Sequence, residues 1–153
     1  MKRPDGETSR PLPDADATQA AAVELADRLG PGDVVALVGP LGAGKTTFVK
    51  SAAAALGVSE EVTSPTFIRL RHYEGDLEVH HLDLYRVQDA AEFQSLGLDE
   101  WLDTAGVTLI EWADRAAEVL PPDTITVFLD YADGARSRTM RMREGPPRPG
   151  EGT

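Results

Sequence analysis

The run Gly39-Pro40-Leu41-Gly42-Ala43-Gly44-Lys45-Thr46 is a complete G-x-x-x-x-G-K-[ST] pattern. Its residue types suit a phosphate group. Phosphate oxygens must lie against bare backbone, and glycine clears the Cβ atoms away while permitting unusual dihedrals. Successive N–H groups can then form an anion-binding nest. A following helix adds its positive N-terminal end. On this reading Gly39, Gly42, Ala43 and Gly44 shape a nucleotide cradle. Lys45 supplies a point charge at the β- and γ-phosphates, the Thr46 hydroxyl ligates Mg²⁺, and Thr47 reaches the α-phosphate.

A P-loop enzyme also needs a carboxylate across from the threonine hydroxyl, to hold Mg²⁺ or its water. Two residues qualify. Glu111 ends VTLIE, and an acid after Val107, Leu109 and Ile110 must find a partner. Asp83 lies in EVHHLDLYR, where strand alternation puts His81, Asp83 and Tyr85 on one face and Leu82 and Leu84 on the other. The leucines are expected to face the core and the polar triplet a cleft or solvent. His80 and His81 point to opposite faces, so they are not a paired metal site, and ordinary structural histidines are the simpler reading. In Ser64-Pro65-Thr66-Phe67, Thr66 could close over a γ-phosphate like a switch loop. From the residues alone, a plain turn before a strand is preferred there.

These residues need elements to position them. DVVALVG reads as a buried strand over 33–38, and TFVKSAAAALG as a helix stopped at Gly57. The loop therefore lies between a strand and a helix, as its chemistry requires. Upstream, Asp14 or Asp16 can cap a helix over 17–29. FIRLRHYEGDLEVHHLDLY reads as two extended segments around a turn at Glu74-Gly75-Asp76. DAAEFQSLGLDEWL suggests one or two short helices, VTLIEW (107–112) another buried strand, and ADRAAEVL a helix stopped by Pro121-Pro122. TITVFLDY and RSRTMRMR form a closing strand pair joined at Asp133-Gly134. The pattern is mixed α/β with a partly parallel sheet.

The 153 residues fit one domain. Residues 1–11 and 144–153, polar and rich in proline and glycine, read as flexible tails around a domain over 12–143. With 15 Lys+Arg against 26 Asp+Glu, the net charge of −11 argues against gripping a nucleic acid backbone unaided. The absence of cysteine removes disulfides, thiolate metal sites and cysteine nucleophiles. No apolar run approaches a membrane span, and PDGETSRPLPDAD after Lys2 and Arg3 has no apolar secretory core, so a cytoplasmic location is expected. No N-K-x-D or T-K-x-D selects guanine, and no L-S-G-G-Q points to a transporter subunit.

In order along the chain, LPDADAT (12–18), GPLGAGKTTFVK (39–50), SPTF (64–67), HLDLYR (81–86), LGLDEWL (96–102), LIEWADR (109–115) and LDY (129–131) resemble the TsaE (YjeE) family. These are small P-loop ATPases of tRNA threonylcarbamoyladenosine (t6A) biosynthesis. The resemblance covers about 12–143. It implies a compact P-loop fold with a mixed, partly parallel central sheet flanked by helices. It implies that Lys45, Thr46 and Thr47 bind ATP phosphates and that Glu111 joins Thr46 at Mg²⁺. Asp83 matches the acid of hydrolysis, Thr66 the switch-like threonine and Trp112 the tryptophan beside the metal acid. LPDADAT and either Arg136 or Arg138 match regions flanking the nucleotide. The implied partners are TsaD and TsaB, with tRNA reached only through that complex.

The expected activity is Mg²⁺-dependent ATP hydrolysis, slow alone and stimulated by the partners. Lys45, Asp83 and Thr66 are its expected catalytic residues. A small-molecule kinase would share the loop but needs an acceptor pocket and a lid, and no lid insertion is evident. A binding module whose ATP state matters more than its hydrolysis is the other rival. The arginines of the last segment (Arg136, Arg138, Arg141, Arg143) read most simply as a solvated edge strand.

Overall fold

A computed structural model describes residues 7–63 and 70–151. Seven strands form one sheet in the order β1-β7-β6-β2-β5-β4-β3. They span β1 Thr8–Leu12, β2 Val34–Val38, β3 Leu70–Tyr73, β4 Val79–Asp83, β5 Val107–Glu111, β6 Ile125–Ala132 and β7 Ser137–Glu144. The helices are α1 Ala15–Ala26, α2 Lys45–Ala55 and α3 Ala90–Ser95. Strand β2 lies between β5 and β6, parallel to both, and β4 is parallel to β5. The outer pairs β1–β7, β6–β7 and β3–β4 are antiparallel. The sheet is mixed and partly parallel, as the sequence pattern predicts.

Both faces of the sheet are covered, which explains why β2 is apolar without alternation. On one face α1 and α2 pack Ala22, Leu25, Phe48, Val49 and Ala52 onto Val35, Leu37, Leu109 and Val127. On the other, Phe93 of α3, Leu98, Ala113 and Ala116 pack onto Val34, Ala36, Leu82 and Ile110. Of the two capping candidates, Asp14 is the N-cap of α1, its side chain accepting from the Ala17 N–H at 2.9 Å. The helix therefore begins at Ala15 and ends at Ala26, earlier at both ends than expected. Helix α2 stops where Gly57 turns left-handed (φ 91°).

Four expectations change. The N-terminal tail boundary at 11 gives way to β1, which pairs with β7 from Thr8↔Met142 to Leu12↔Arg138. Its proline, Pro11, is tolerated because β1 is an edge strand. The Arg-rich β7 is consequently no edge, since β1 covers one side and β6 the other. The chain beyond 144 also folds back. Arg143 pairs with Glu151 at 2.9 Å, and the Gly145 N–H donates to the Thr124 carbonyl at 2.7 Å. Finally, ADRAAEVL is a kinked 3-10 segment, Ala113–Val119, because Ala116 (φ −117°) breaks regular helix geometry.

No helix among the described residues is long and apolar enough to cross a membrane.

Candidate functional site

The glycine-rich loop runs from the end of β2 to the start of α2, at the C-terminal edge of the parallel strands. Gly39 is required by close approach, since a Cβ there would stand 2.1 Å from the Leu129 carbonyl oxygen. At Gly42 (φ 79°) a Cβ would meet the Tyr131 hydroxyl at 2.6 Å. Gly44 is the N-cap of α2 at φ 103°, a left-handed conformation that no side chain favours. Ala43 is 1% exposed and fills the core beneath the loop.

A cavity of about 420 Å³ opens over this loop, bordered by Gly42, Gly44, Thr46 and Thr47 on one side and Asp83, Glu111 and Trp112 on the other. Lys45 also borders it. Its ammonium donates to the carbonyls of Gly39 and Pro40 and lies 3.8 Å from the centre of the Trp112 ring. Burial pushes the Lys45 pKa below its ordinary value, against the opposing pull of Glu111, Asp83 and Asp114.

The two acids proposed from the sequence are brought together. β4 and β5 run parallel with Asp83 opposite Glu111 at their last positions. The Thr46 hydroxyl donates to Glu111 Oε1 at 3.0 Å, joining the start of α2 to the end of β5. The second Glu111 oxygen meets His81 Nε2 at 2.7 Å. Asp83 accepts the Tyr85 N–H at 2.9 Å. A hydroxyl and carboxylates are hard oxygen donors, which fit Mg²⁺ better than a softer ion.

Trp112 holds a left-handed backbone (φ 58°) directly after Glu111. A non-glycine residue pays for that conformation, and such strain gathers at functional sites. Its ring meets Tyr85 at 5.1 Å, with the Arg115 guanidinium 5.4 Å away. A second cavity of about 350 Å³ flanks the loop on the α1 side, bordered by Asp14, Thr18, Thr47, Arg136 and Arg138. Both arginine candidates therefore stand near the loop. Arg138 is the one that grips it, donating to the Gly42 carbonyl at 3.1 Å. Thr66 lies outside the described residues.

Sequence reasoning missed several neighbours. His81, expected at a cleft or solvent, is instead fully buried on the face of β4 whose Val79 joins the α1–α2 core, and it holds Glu111. The signal was its shared face with Asp83. Asp114 is 5% exposed, and burial pushes its carboxyl above the usual range, partly offset by Arg115 and Lys45. Tyr131 donates to the Leu41 carbonyl and stacks under Arg138 at 4.4 Å. LDY had marked the region without marking that role.

The arrangement offers an ammonium, a helix N-terminus, a hydroxyl and two carboxylates around one cavity. It can hold a polyanion at the loop and a divalent cation between Thr46 and the acids.

Comparison with known proteins agrees with this geometry. The model of the family described as "Threonylcarbamoyl adenosine biosynthesis protein TsaE" matches residues 12–140. The TsaE protein of Treponema pallidum is 46% identical over 110 residues, 71% of this chain and 82% of that one. The TsaE protein of Bacillus subtilis is 44% identical over 116 residues, 75% of this chain and 72% of its own. The crystal structure of Bacillus subtilis YdiB superposes with a TM-score of 0.78 at 34% identity, covering 91% of this chain and 86% of that one.

Proposed function

Because the chain belongs to the TsaE family of threonylcarbamoyl adenosine biosynthesis proteins, we propose that it binds ATP with Mg²⁺ and hydrolyses it in step with tRNA modification, driven by TsaD and TsaB. The observation that carries the reading is the meeting of Thr46, Glu111 and Asp83 at one end of the cavity, beside Lys45.

The roles follow from the positions. Gly42, Gly44 and Thr47 line the path of the phosphates, and Lys45 offsets charge at the β- and γ-positions. Thr46 and Glu111 would hold Mg²⁺, which supplies electrostatic relief at the phosphate oxygens. His81 keeps the Glu111 carboxylate oriented through its second oxygen. Asp83, the neighbouring acid, orients the attacking water and takes its proton, so that water attacks the γ-phosphorus in line with the departing ADP. Trp112 and Tyr85 wall the cavity and limit stray water. Thr66 is proposed to act from the segment before β3, as a closing residue at the γ-phosphate. A net charge of −11 suits a protein that reaches tRNA only through its partners.

The test is ATP turnover by the purified chain, titrated with its cognate TsaB–TsaD complex. Saturable stimulation that Lys45→Ala removes is expected. Turnover that stays flat across the titration, despite sound ATP binding, would overturn the assignment and favour a kinase acting on a small acceptor.

A further inference from the structure

Away from the phosphate loop, the β3–β4 hairpin gathers three ligand-type side chains. His72 of β3 is the register partner of His80 of β4, and Glu78 immediately precedes β4. One ring nitrogen from each histidine and one Glu78 oxygen all lie within 4.8 Å of one another. The two Nδ1 atoms are 3.0 Å apart. The Nε2 atoms of His72 and His80 stand 4.0 and 3.9 Å from the two Glu78 oxygens.

His80 is the unusual member. It is 1% exposed, and its Nε2 is buried without a hydrogen-bond partner. An unsatisfied buried nitrogen costs on the order of 1–3 kcal/mol, and a native structure that keeps one invites an explanation. The Trp101 ring packs 4.8 Å from His80 and shields it on one side. His72 and Glu78 remain open to solvent, with side chains 41% and 60% exposed, and so leave an entry path.

We propose that His72, Glu78 and His80 form a binding site for a divalent transition-metal ion, with Zn²⁺ the best fit. Two imidazoles and one carboxylate form a borderline donor set that selects Zn²⁺ over Mg²⁺ or Ca²⁺. Three protein ligands leave a fourth tetrahedral position for water. With bonds of about 2.0–2.1 Å, tetrahedral donors stand roughly 3.3 Å apart. The donor set that takes one atom from each residue spans up to 4.8 Å, so the three side chains must draw together around the ion. The exposed His72 and Glu78 have the freedom to close the remaining gap. Bound metal would clamp the edge strand β3 to β4, the strand that carries His81 and Asp83. The site shares no residue with the proposed ATPase and stands or falls separately.

The competing reading is a plain hydrogen bond between the two rings, with no metal. Zn²⁺ binding to the full chain, competed against a colorimetric chelator in excess Mg²⁺, separates the two. One equivalent of Zn²⁺ is expected, and Co²⁺ should give the visible absorption of a tetrahedral site. His72→Ala and Glu78→Gln should each weaken Zn²⁺ binding by about tenfold or more, on the scale set by disturbed metal shells. Both positions are exposed, so melting in the presence of chelator should match that of the parent. Failure to bind one equivalent overturns the proposal. So does binding that survives His72→Ala but is lost in Glu111→Gln, which would place the ion at the phosphate-loop acids.

Discussion

Asp83 and Glu111 are register partners at the last positions of two parallel strands, β4 and β5. Their separation is therefore set by the hydrogen-bond ladder of the sheet and not by a loop. What holds each differs. Glu111 has one oxygen on the Thr46 hydroxyl and the other on His81, while Asp83 accepts the Tyr85 backbone N–H. Glu111, held through both oxygens, suits a metal, which needs fixed ligands. Its neighbour Asp83, at the adjacent strand end, is placed to orient a water.

Asp83→Asn should keep ATP binding and lose turnover by roughly 10²–10⁴-fold, the usual worth of a general base. Calorimetry with ATP and a phosphate-release assay check the two halves. Lost binding would mean that Asp83 serves the nucleotide instead of the water.

Lys45→Ala should weaken ATP binding by about 10–100-fold, since a hydrogen bond to a charged group contributes roughly 1.5–3 kcal/mol. The fold should persist, because the Lys45 ammonium bonds loop carbonyls at the cavity and neither apolar core cluster is built on it. Calorimetric titration alongside a melting curve tests both statements.

His81→Ala should lower the apparent Mg²⁺ affinity of ATP turnover by about 10–100-fold, the range for loss of a group that orients a metal ligand. Nucleotide binding measured in chelator should change little. An unaltered Mg²⁺ dependence would show that the buried contact with Glu111 at 2.7 Å is packing only.

Gly39→Ala should be strongly destabilising, because the new methyl would be driven into the Leu129 carbonyl 2.1 Å away. A loss of a few kcal/mol, seen as a lower denaturant midpoint, is expected of such a backbone clash. Gly30→Ala, with open space around it and no left-handed backbone angle, should cost far less.

Arg143 engages both Glu151 oxygens, and the Arg148 N–H adds a third bond, so Arg143 first of all holds the Glu151 carboxyl below its ordinary pKa. A lowered carboxylate pKa adds stability above the unfolded value, about 4.3. That contribution disappears as pH falls through the lower, folded value. Glu151→Gln should therefore melt below the parent at neutral pH by up to about 1 kcal/mol, the scale of a partly exposed pair. The two melting curves should converge in strong acid, and a gap that persists there would discount the ion pair.

Much of the site was legible because its chemistry constrains single residues. Gly39 and Gly42 report close approaches and Gly44 a left-handed turn, and Glu111 announces itself as an acid ending an apolar strand. Asp83 followed from alternation along β4. Of the β4 face expected at a cleft or solvent, Asp83 and Tyr85 do border the cavity but His81 is buried, since whether a helix covers a position depends on how another part of the chain packs. That is why His81 read as a bystander. Strand β1 was illegible for a related reason. TSRPL has the composition of a tail, and it becomes a strand only because β7 offers an unpaired edge, with Leu12 alone fully buried. The arginines of β7 then take up local partners: Arg141 bonds Glu7 at 2.9 Å, and Arg138 reaches the phosphate loop.

The Lys45 ammonium rests 3.8 Å from the Trp112 ring centre. A cation held against an indole face perturbs its emission, so anything that draws Lys45 toward a phosphate must alter the light from Trp112. The only other tryptophan, Trp101, lies instead beside His80. The protein thus carries two built-in optical probes, one at the phosphate loop and one at the histidine pair. Occupancy of each place can be followed without attaching a dye.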